Sequence, residues 1–496
     1  MNFKTTVFLV SSIIFLGCSN PNNSKTEDFV EADTNQANIN FDYQPIPIGY
    51  GYMENSKALA NAVEEGNQAY IRSHGWKLWA GIMQPADGLD WPVWYTWQNT
   101  YGAFAKGDDD IVSEDHKINS MSLIQRNILH AGGMIMDTLE NILPYYPIPA
   151  KVIAMYKDSG VFTDTSYSSI HVGERFLFNG DIMVPTESLS EAAFDWIRND
   201  LLYTQAKLNV LHDSGRHELD APQKHIVTKH MYWPVPAEGI SALPVWHEDY
   251  YSPDFPGYAG YEKWTDIIGI DPSGNSIGDT AKISFLYGVY RNKKEKNVPI
   301  PTKIVNAKVH GLDEFYHHKI TKNDWANFSP EDKAILNAAS YWAHNKPLGI
   351  GDYIVTIAMH VNTKEIPTWA LQSVWWSNSP EVGKYAADRP ELPQAKGPWD
   401  HYLLVDSYGI PDPTTQKLPM AFNPYIELVI HPIATNCNNC HSRAGWPASF
   451  TPTVGKASYQ NPDCPDLLEK LTPESACLAD YMLTDFQWII PDHAIK

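Results

Sequence analysis

The sequence predicts an α+β fold, and three observations carry that reading. Apolar residues recur at helical spacing from Gly66 to Met83, from Ser190 to His212 and after Ser329. Aromatic and β-branched residues alternate or cluster from Ile283 to Tyr290, Tyr353 to Val361 and Trp369 to Trp376. The two kinds of segment interleave without the regular strand–helix–strand alternation of a parallel sheet, so antiparallel pairing is expected. With 496 residues, 43% hydrophobic and 19% charged, the chain has material for about two or three domains.

The N-terminus bears on the compartment. Lys4 supplies a positive start, and Val7 to Leu16 form an apolar run broken by Ser11 and Ser12. A bilayer span needs about 20 apolar residues, so residues 1–17 read as a signal peptide. The run ends in Phe15-Leu16-Gly17-Cys18, which resembles the lipobox of bacterial lipoproteins, with Phe15 where Leu is more usual. That resemblance implies cleavage before Cys18, a diacylglycerol on its sulfur and an acyl chain on its amine. Several acyl chains anchor stably where one is marginal. The bilayer is therefore an expected partner and the cell envelope the expected location, the outer membrane in particular. Residues 18–42 are rich in Asn, Ser, Thr, Asp and Glu, cannot bury a core, and read as a disordered tether.

Each later element has its own signal. Gly66 to Met83 leads into the aromatic run Trp91-Pro92-Val93-Trp94-Tyr95-Thr96-Trp97, a candidate sugar platform or, more simply, core. Ser190 is placed to cap one long helix to His212, with Glu191 and Asp195 in its first turns. Ser329-Pro330-Glu331-Asp332 opens another, since Ser caps and Pro suits the first helical position. Two strands flank the turn-like Asn362-Thr363-Lys364 and Pro367. The Pro/Gly-rich stretch from Ala386 to Pro398 divides a body, 43–390, from a C-terminal region, 391–496; a long surface loop within one domain is the alternative.

Net charge narrows the partners. A formal charge of −21 excludes nucleic acid and docking on anionic lipid through basic patches. His74, His225, His230, His247, His310, His317, His318, His344 and His360 are scattered without a metal-binding spacing. There is no Gly-rich phosphate loop, H-E-x-x-H or G-x-S-x-G motif, so nucleotide, zincin and hydrolase chemistry lack support.

The specific signal is Cys437-Asn438-Asn439-Cys440-His441, which matches C-x-x-C-H, the attachment signature of c-type haem. Two thiols at this spacing reach two vinyl groups on one porphyrin edge, and the next histidine presents a nitrogen to iron. A zinc site would need further ligands, and no second C-x-x-C or H-x-x-x-H follows. A redox pair would sit at a helix start in a strand–helix–strand setting. The last hundred residues or so thus resemble cytochromes c, which implies one haem c, His441 as proximal iron ligand and a mainly α-helical C-terminal haem region. Arg443 is a candidate contact for a haem propionate, since guanidinium suits carboxylate.

The longer segments Arg72 to Gly81, Trp91 to Trp94, Gly351 to Val361 and Lys364 to Trp369 resemble a poorly characterised family of large bacterial cytochrome c proteins. This implies only that body and haem region travel together. Cytochromes c commonly place a distal Met or His after the motif; Met482 is the candidate, with His493 and the upstream His431 as rivals. Cys464 and Cys477 are expected to form a disulfide, because an exported compartment oxidises a spare pair. Function follows as haem-mediated electron transfer with a redox partner protein or small-molecule donor or acceptor, and an oxidoreductase site in the body is left open. The alternatives are a glycan- or ligand-binding lipoprotein with a structural or sensory haem, and peroxide chemistry at an open iron.

Overall fold

Helices and strands mix throughout the computed structural model, which describes residues 43–89, 91–105, 144–145, 149–159, 184–252, 257–258, 264–285, 289–290, 298–299, 302–427, 435–447, 464 and 466–495. The expected signal peptide and tether, with Cys18, lie outside these residues, as does His431. All described residues fall in one unit, Asn40–Lys496.

The strands that position the site are β1 (Gln98–Asn99), β2 (Val184–Leu189), β3 (Ile226–Val235), β4 (Ser241–Val245), β5 (Asp266–Asp271), β6 (Thr280–Phe285), β7 (Lys303–Gly311), β8 (His317–Lys319), β9 (Tyr353–Thr363), β10 (Ala370–Trp376) and β11 (Tyr402–Ser407). Among the described residues a seven-stranded antiparallel sheet runs β1-β2-β3-β9-β10-β11, with β8 also on β9. A second, four-stranded sheet runs β4-β5-β7-β6, and its β5–β7 pair is parallel. The central strands β3 and β9 are buried almost end to end, which is why they read as Val-, Ile- and aromatic-rich runs. The expected turn at Asn362-Thr363-Lys364 begins later, because β9 pairs through Thr363.

Side chains alternate across a sheet, so register assigns faces. Glu187 opposes Lys229, Lys229 opposes His360, and His360 opposes Ser373, which puts all four in one row on one face. Gln372 and Asp406 pair one position away and face the other side. There α2 (Gln68–Ile82), which follows α1 (Ser56–Glu65), lies against the sheet: the Arg72 guanidinium donates to the Leu404 carbonyl at 3.0 Å and to Asp406 Oδ2 at 3.2 Å. Asn67 caps α2, and Trp76 and Trp79 drive it inward with zero exposure. Burying such rings contributes on the order of 2–3 kcal/mol each.

The expected long helix from Ser190 to His212 is two helices, α3 (Glu191–Asn199) and α4 (Gln205–Asp213). Ser190 does cap the first, accepting from Ala193 N, but Leu201 turns left-handed at φ 58° and Thr204 caps a new start. Helix α5 (Pro330–His344) begins as expected, with a capping box between Ser329 and Asp332.

The C-terminal region is not mainly helical. Besides β11, which belongs to the large sheet, its described residues include two five-residue helices, α6 (Cys437–His441) and α7 (Ile489–His493), and the strand pair β12 (Gly445–Trp446) and β13 (Met482–Leu483). Residues 466–481 form turns and one short 3-10 helix, Ala476–Leu478, and Pro473 there lacks the N–H that a longer helix would need. This region packs on the body: Leu219 N donates to Leu483 O, Leu483 N to His217 O, and Gln205 N to Ile495 O, each at 2.8 Å. The Pro/Gly-rich stretch is tied to α2, with Trp76 Nε1 donating to Ala387 O at 2.9 Å and Lys396 N to Gln84 Oε1 at 3.0 Å.

Candidate functional site

The Cys-x-x-Cys-His segment is built as a single helical turn. The Asn436 side chain caps it, accepting from Asn438 N at 2.8 Å and Asn439 N at 3.4 Å, while Ser407 Oγ donates to Asn436 Oδ1 at 2.7 Å. Cys437 N donates to the Ala421 carbonyl at 3.0 Å, and its thiol to the same oxygen at 3.3 Å. Positions three apart share a helix face, so α6 brings Cys437 and Cys440 to one side. Both are free thiols and half-buried. Burial pushes the Cys437 thiol well above its ordinary value, and the nearby Glu427 adds to this; burial likewise pushes Cys440 up to about 12. Nucleophilic C-x-x-C pairs need the opposite shift.

His441 is oriented by one contact. Its Nδ1 lies 2.8 Å from the Phe486 carbonyl oxygen, and a carbonyl only accepts, so Nδ1 carries the proton and Nε2 keeps its lone pair. Burial brings its pKa down to about 4; the Phe486 carbonyl opposes this, and the charge of His360 adds to it. The ring is therefore neutral over the physiological range, the form that ligates a metal. Phe486 is itself held in place, because Asp485 accepts from Lys364 Nζ, Trp369 Nε1 and Ala221 N, each at 2.7 Å.

Arg443, the candidate propionate contact, is a buried side chain and not a solvated surface residue. It is 1% exposed, and its guanidinium donates to Asn439 Oδ1 at 3.0 Å, Cys464 O at 2.7 Å and Asp466 O at 3.1 Å. It clamps α6 to the disulfide loop. Cys464 and Cys477 stand at disulfide distance, with Cα atoms 5.6 Å apart. Met482 has zero exposure in an apolar cluster with Leu189, Ile197, Trp446 and Ile489. The His493 ring packs tilted against Phe104, centroids 5.3 Å apart. Within the candidate sugar platform, Trp94 and Trp97 are buried and serve as core.

Above the motif lies a group that sequence patterning missed. His360 Nε2 forms an ion pair with Glu427 Oε1 at 2.9 Å. Burial favours the neutral acid at Glu427, but the His360 charge and hydrogen bond outweigh it and hold the carboxyl below its ordinary value. The loop carrying Glu427 is the one that cradles Cys437, since Ala421 pairs with Asn436. Asp492, on α7, is pushed well above the usual carboxylate range by burial and by Glu187. Lys229 was the available signal: a lysine in the middle of a strand, Ile226 to Val235, whose other residues are all buried, costs stability unless its charge is compensated.

Among the described residues no group of three or more His, Cys, Asp or Glu side chains converges to hold a metal ion, and no helix is long and apolar enough to cross a membrane. Compared with known proteins, the chain matches no family model, no curated protein and no solved structure.

Proposed function

We propose that the chain carries one c-type haem on Cys437, Cys440 and His441 and works as an exported, lipid-anchored electron-transfer protein. The observation that carries this reading is the His441–Phe486 contact, which fixes the tautomer so that Nε2 is the nitrogen left for iron. The residues fit the group in a further way: thiols held protonated on one turn suit thioether formation with vinyl carbons and not thiolate chemistry. When bound, the haem supplies a one-electron couple at iron.

The chain's own part is to hold and shield. Trp488 Nε1 donates to the Cys440 carbonyl at 3.2 Å, and Trp369 stacks on Phe486, centroids 6.3 Å apart, so aromatic rings back the attachment turn. A redox partner protein or a small donor or acceptor exchanges the electron, and Cys18 supplies the anchor to the envelope. In the test, the denatured protein keeps a haem-peroxidase stain on a gel, and Cys437→Ala or Cys440→Ala weakens or abolishes it. A colourless wild-type protein refutes the reading. Fatty-acid labelling that is equal in wild type and Cys18→Ala refutes the anchor.

A further inference from the structure

A small cleft of about 250 Å3 opens to solvent beside the attachment turn. Drug-sized ligands occupy roughly 300 Å3 or more, so this cleft suits a single side chain. Leu483 and Phe486 line it with Leu471, Thr472 and Pro473 of the disulfide loop, and Ser442, the residue after His441, joins them. Glu218 is the one ionisable group in the lining. Its neighbours put it there, since Leu219 N donates to Leu483 O and Leu483 N to His217 O. The Glu218 side chain is half-buried, yet among the described residues its carboxylate has no hydrogen bond or ion pair. Arg216 donates from Nε to the Glu218 backbone carbonyl at 2.9 Å, and Lys364 is committed to Asp485 at 2.7 Å. Burial pushes the Glu218 pKa up, and the charges of Asp485, Asp220 and Glu474 add to this, with Lys364 alone opposing them. A carboxylate that loses hydration against apolar walls and gains no partner costs stability, and an incoming cation removes that cost.

We propose that this cleft receives a lysine side chain of a basic redox partner, its methylene stem against Leu471, Pro473, Leu483 and Phe486 and its ammonium on Glu218. That the partner is a redox protein rests on the haem reading; the lysine pocket does not. Lysine is the side chain that lays an apolar stem along such walls while its charged head stays at the mouth. The formal charge of −21 draws basic proteins in general, and Glu218 with the exposed Asp220 and Glu474 gives that attraction a definite seat. A partner seated here touches Phe486, whose carbonyl oxygen lies 2.8 Å from His441 Nδ1, so the contact is one residue away from the proposed iron ligand.

The test is calorimetric titration of the full-length protein with pentalysine, and with pentalysine acetylated on its side chains as the uncharged control. It is run at about 0.1 M salt, where exposed charges more than about 10 Å apart are screened. Wild type binds pentalysine and not the acetylated peptide. Glu218→Gln is expected to weaken pentalysine about fivefold without lowering the thermal midpoint, because the carboxylate it removes has no internal partner. Thr472→Trp, at an exposed lining position, fills the cleft without removing a charge and is expected to weaken binding by a similar factor. Glu64→Gln, on the exposed end of α1, stays within about twofold of wild type. Pentalysine affinity unchanged in Glu218→Gln overturns the assignment. A loss in Glu64→Gln as large as in Glu218→Gln overturns it too, because diffuse attraction treats all acids alike. The titration needs no haem, so the two readings fail separately. A haem-stained wild type that does not bind pentalysine removes the pocket and leaves the haem, while an unstained one with Glu218-dependent binding removes the partner's redox role and leaves the pocket.

Discussion

His441 Nδ1 lies 2.8 Å from the carbonyl oxygen of Phe486, and the peptide that offers this carbonyl is held in an unfavourable backbone conformation. Asp485 and Phe486 are consecutive non-glycine residues at φ 50° and 65°, a region that costs side-chain-bearing residues on the order of 1 kcal/mol or more each. The Asp485 carboxylate overdetermines it, with Lys364, Trp369 and the Ala221 amide all donating to it. Its side chain is 3% exposed and that of Lys364 12%, so Asp485→Ala leaves a buried cation without a partner. The expected cost is about 3–5 kcal/mol in denaturant unfolding. The visible spectrum of the haem-loaded protein is expected to shift as well, because His441 loses its orientation; a loss of stability with an unchanged spectrum would separate Asp485 from the site.

Met482 is the residue on which the sequence argument and the packing diverge. Its position after the motif suggests a thioether ligand, but its side chain sits among Leu189, Ile197, Trp446 and Ile489, inside the body's own core. Met482→Ala is therefore expected to act as a core truncation, costing about 2–5 kcal/mol. The iron spectrum of the folded fraction is expected to stay unchanged. A change in that spectrum at full folding would restore Met482 as the ligand.

The Cys437–His441 motif stood out in the sequence because five consecutive residues spell it, and the structure folds them as one helical turn capped by Asn436. The alternation of strand and helix was legible for the same reason, down to Ser190 and Ser329 as caps. What was not legible depends on register. Lys229 and His360 meet because β3 and β9 pair in one frame and not its neighbour, and a one-residue slip of either strand would send its residue to the face covered by α2. The break at Leu201 was hidden because Leu is a good helix former, and only Thr204 restarting the helix shows it. The burial of Arg443 was not legible either, since nothing local announces that its guanidinium will donate to Cys464 O and Asp466 O.

That clamp gives the Cys464–Cys477 bond a measurable role. The bridge closes a short loop, with a sequence separation of 13, and the Cys464 carbonyl accepts from Arg443 Nη1 at 2.7 Å. Loop closure of this size contributes about 3 kcal/mol. A Cys464→Ser, Cys477→Ser double variant is expected to lose about that much in denaturant unfolding while retaining the haem stain, since the attachment thiols are untouched. Mass spectrometry of non-reduced peptides checks the pairing directly, and two alkylatable thiols would rule the bond out.

The buried pair His74–Glu365 predicts an acid limit to stability. Glu365 is 1% exposed, and its carboxylate accepts from Thr363 Oγ1 at 2.8 Å and Met53 N at 3.1 Å and pairs with His74 Nε2 at 3.1 Å. Burial alone would raise its pKa, but the hydrogen bond and charge of His74, with the Met53 amide and Thr363 hydroxyl, outweigh burial and lower it. A carboxyl whose folded value is depressed binds its proton more readily in the unfolded chain. Its contribution is therefore complete above the unfolded value of about 4 and is lost as pH falls through the lower folded value. Glu365→Gln keeps the shape but removes the charge, and it is expected to cost about 2 kcal/mol at neutral pH. Urea unfolding midpoints collected from neutral pH down into the acid range decide the matter. The wild-type and Glu365→Gln curves should converge below about pH 4, and curves that stay parallel to the acid end would show that the pair contributes nothing to folding.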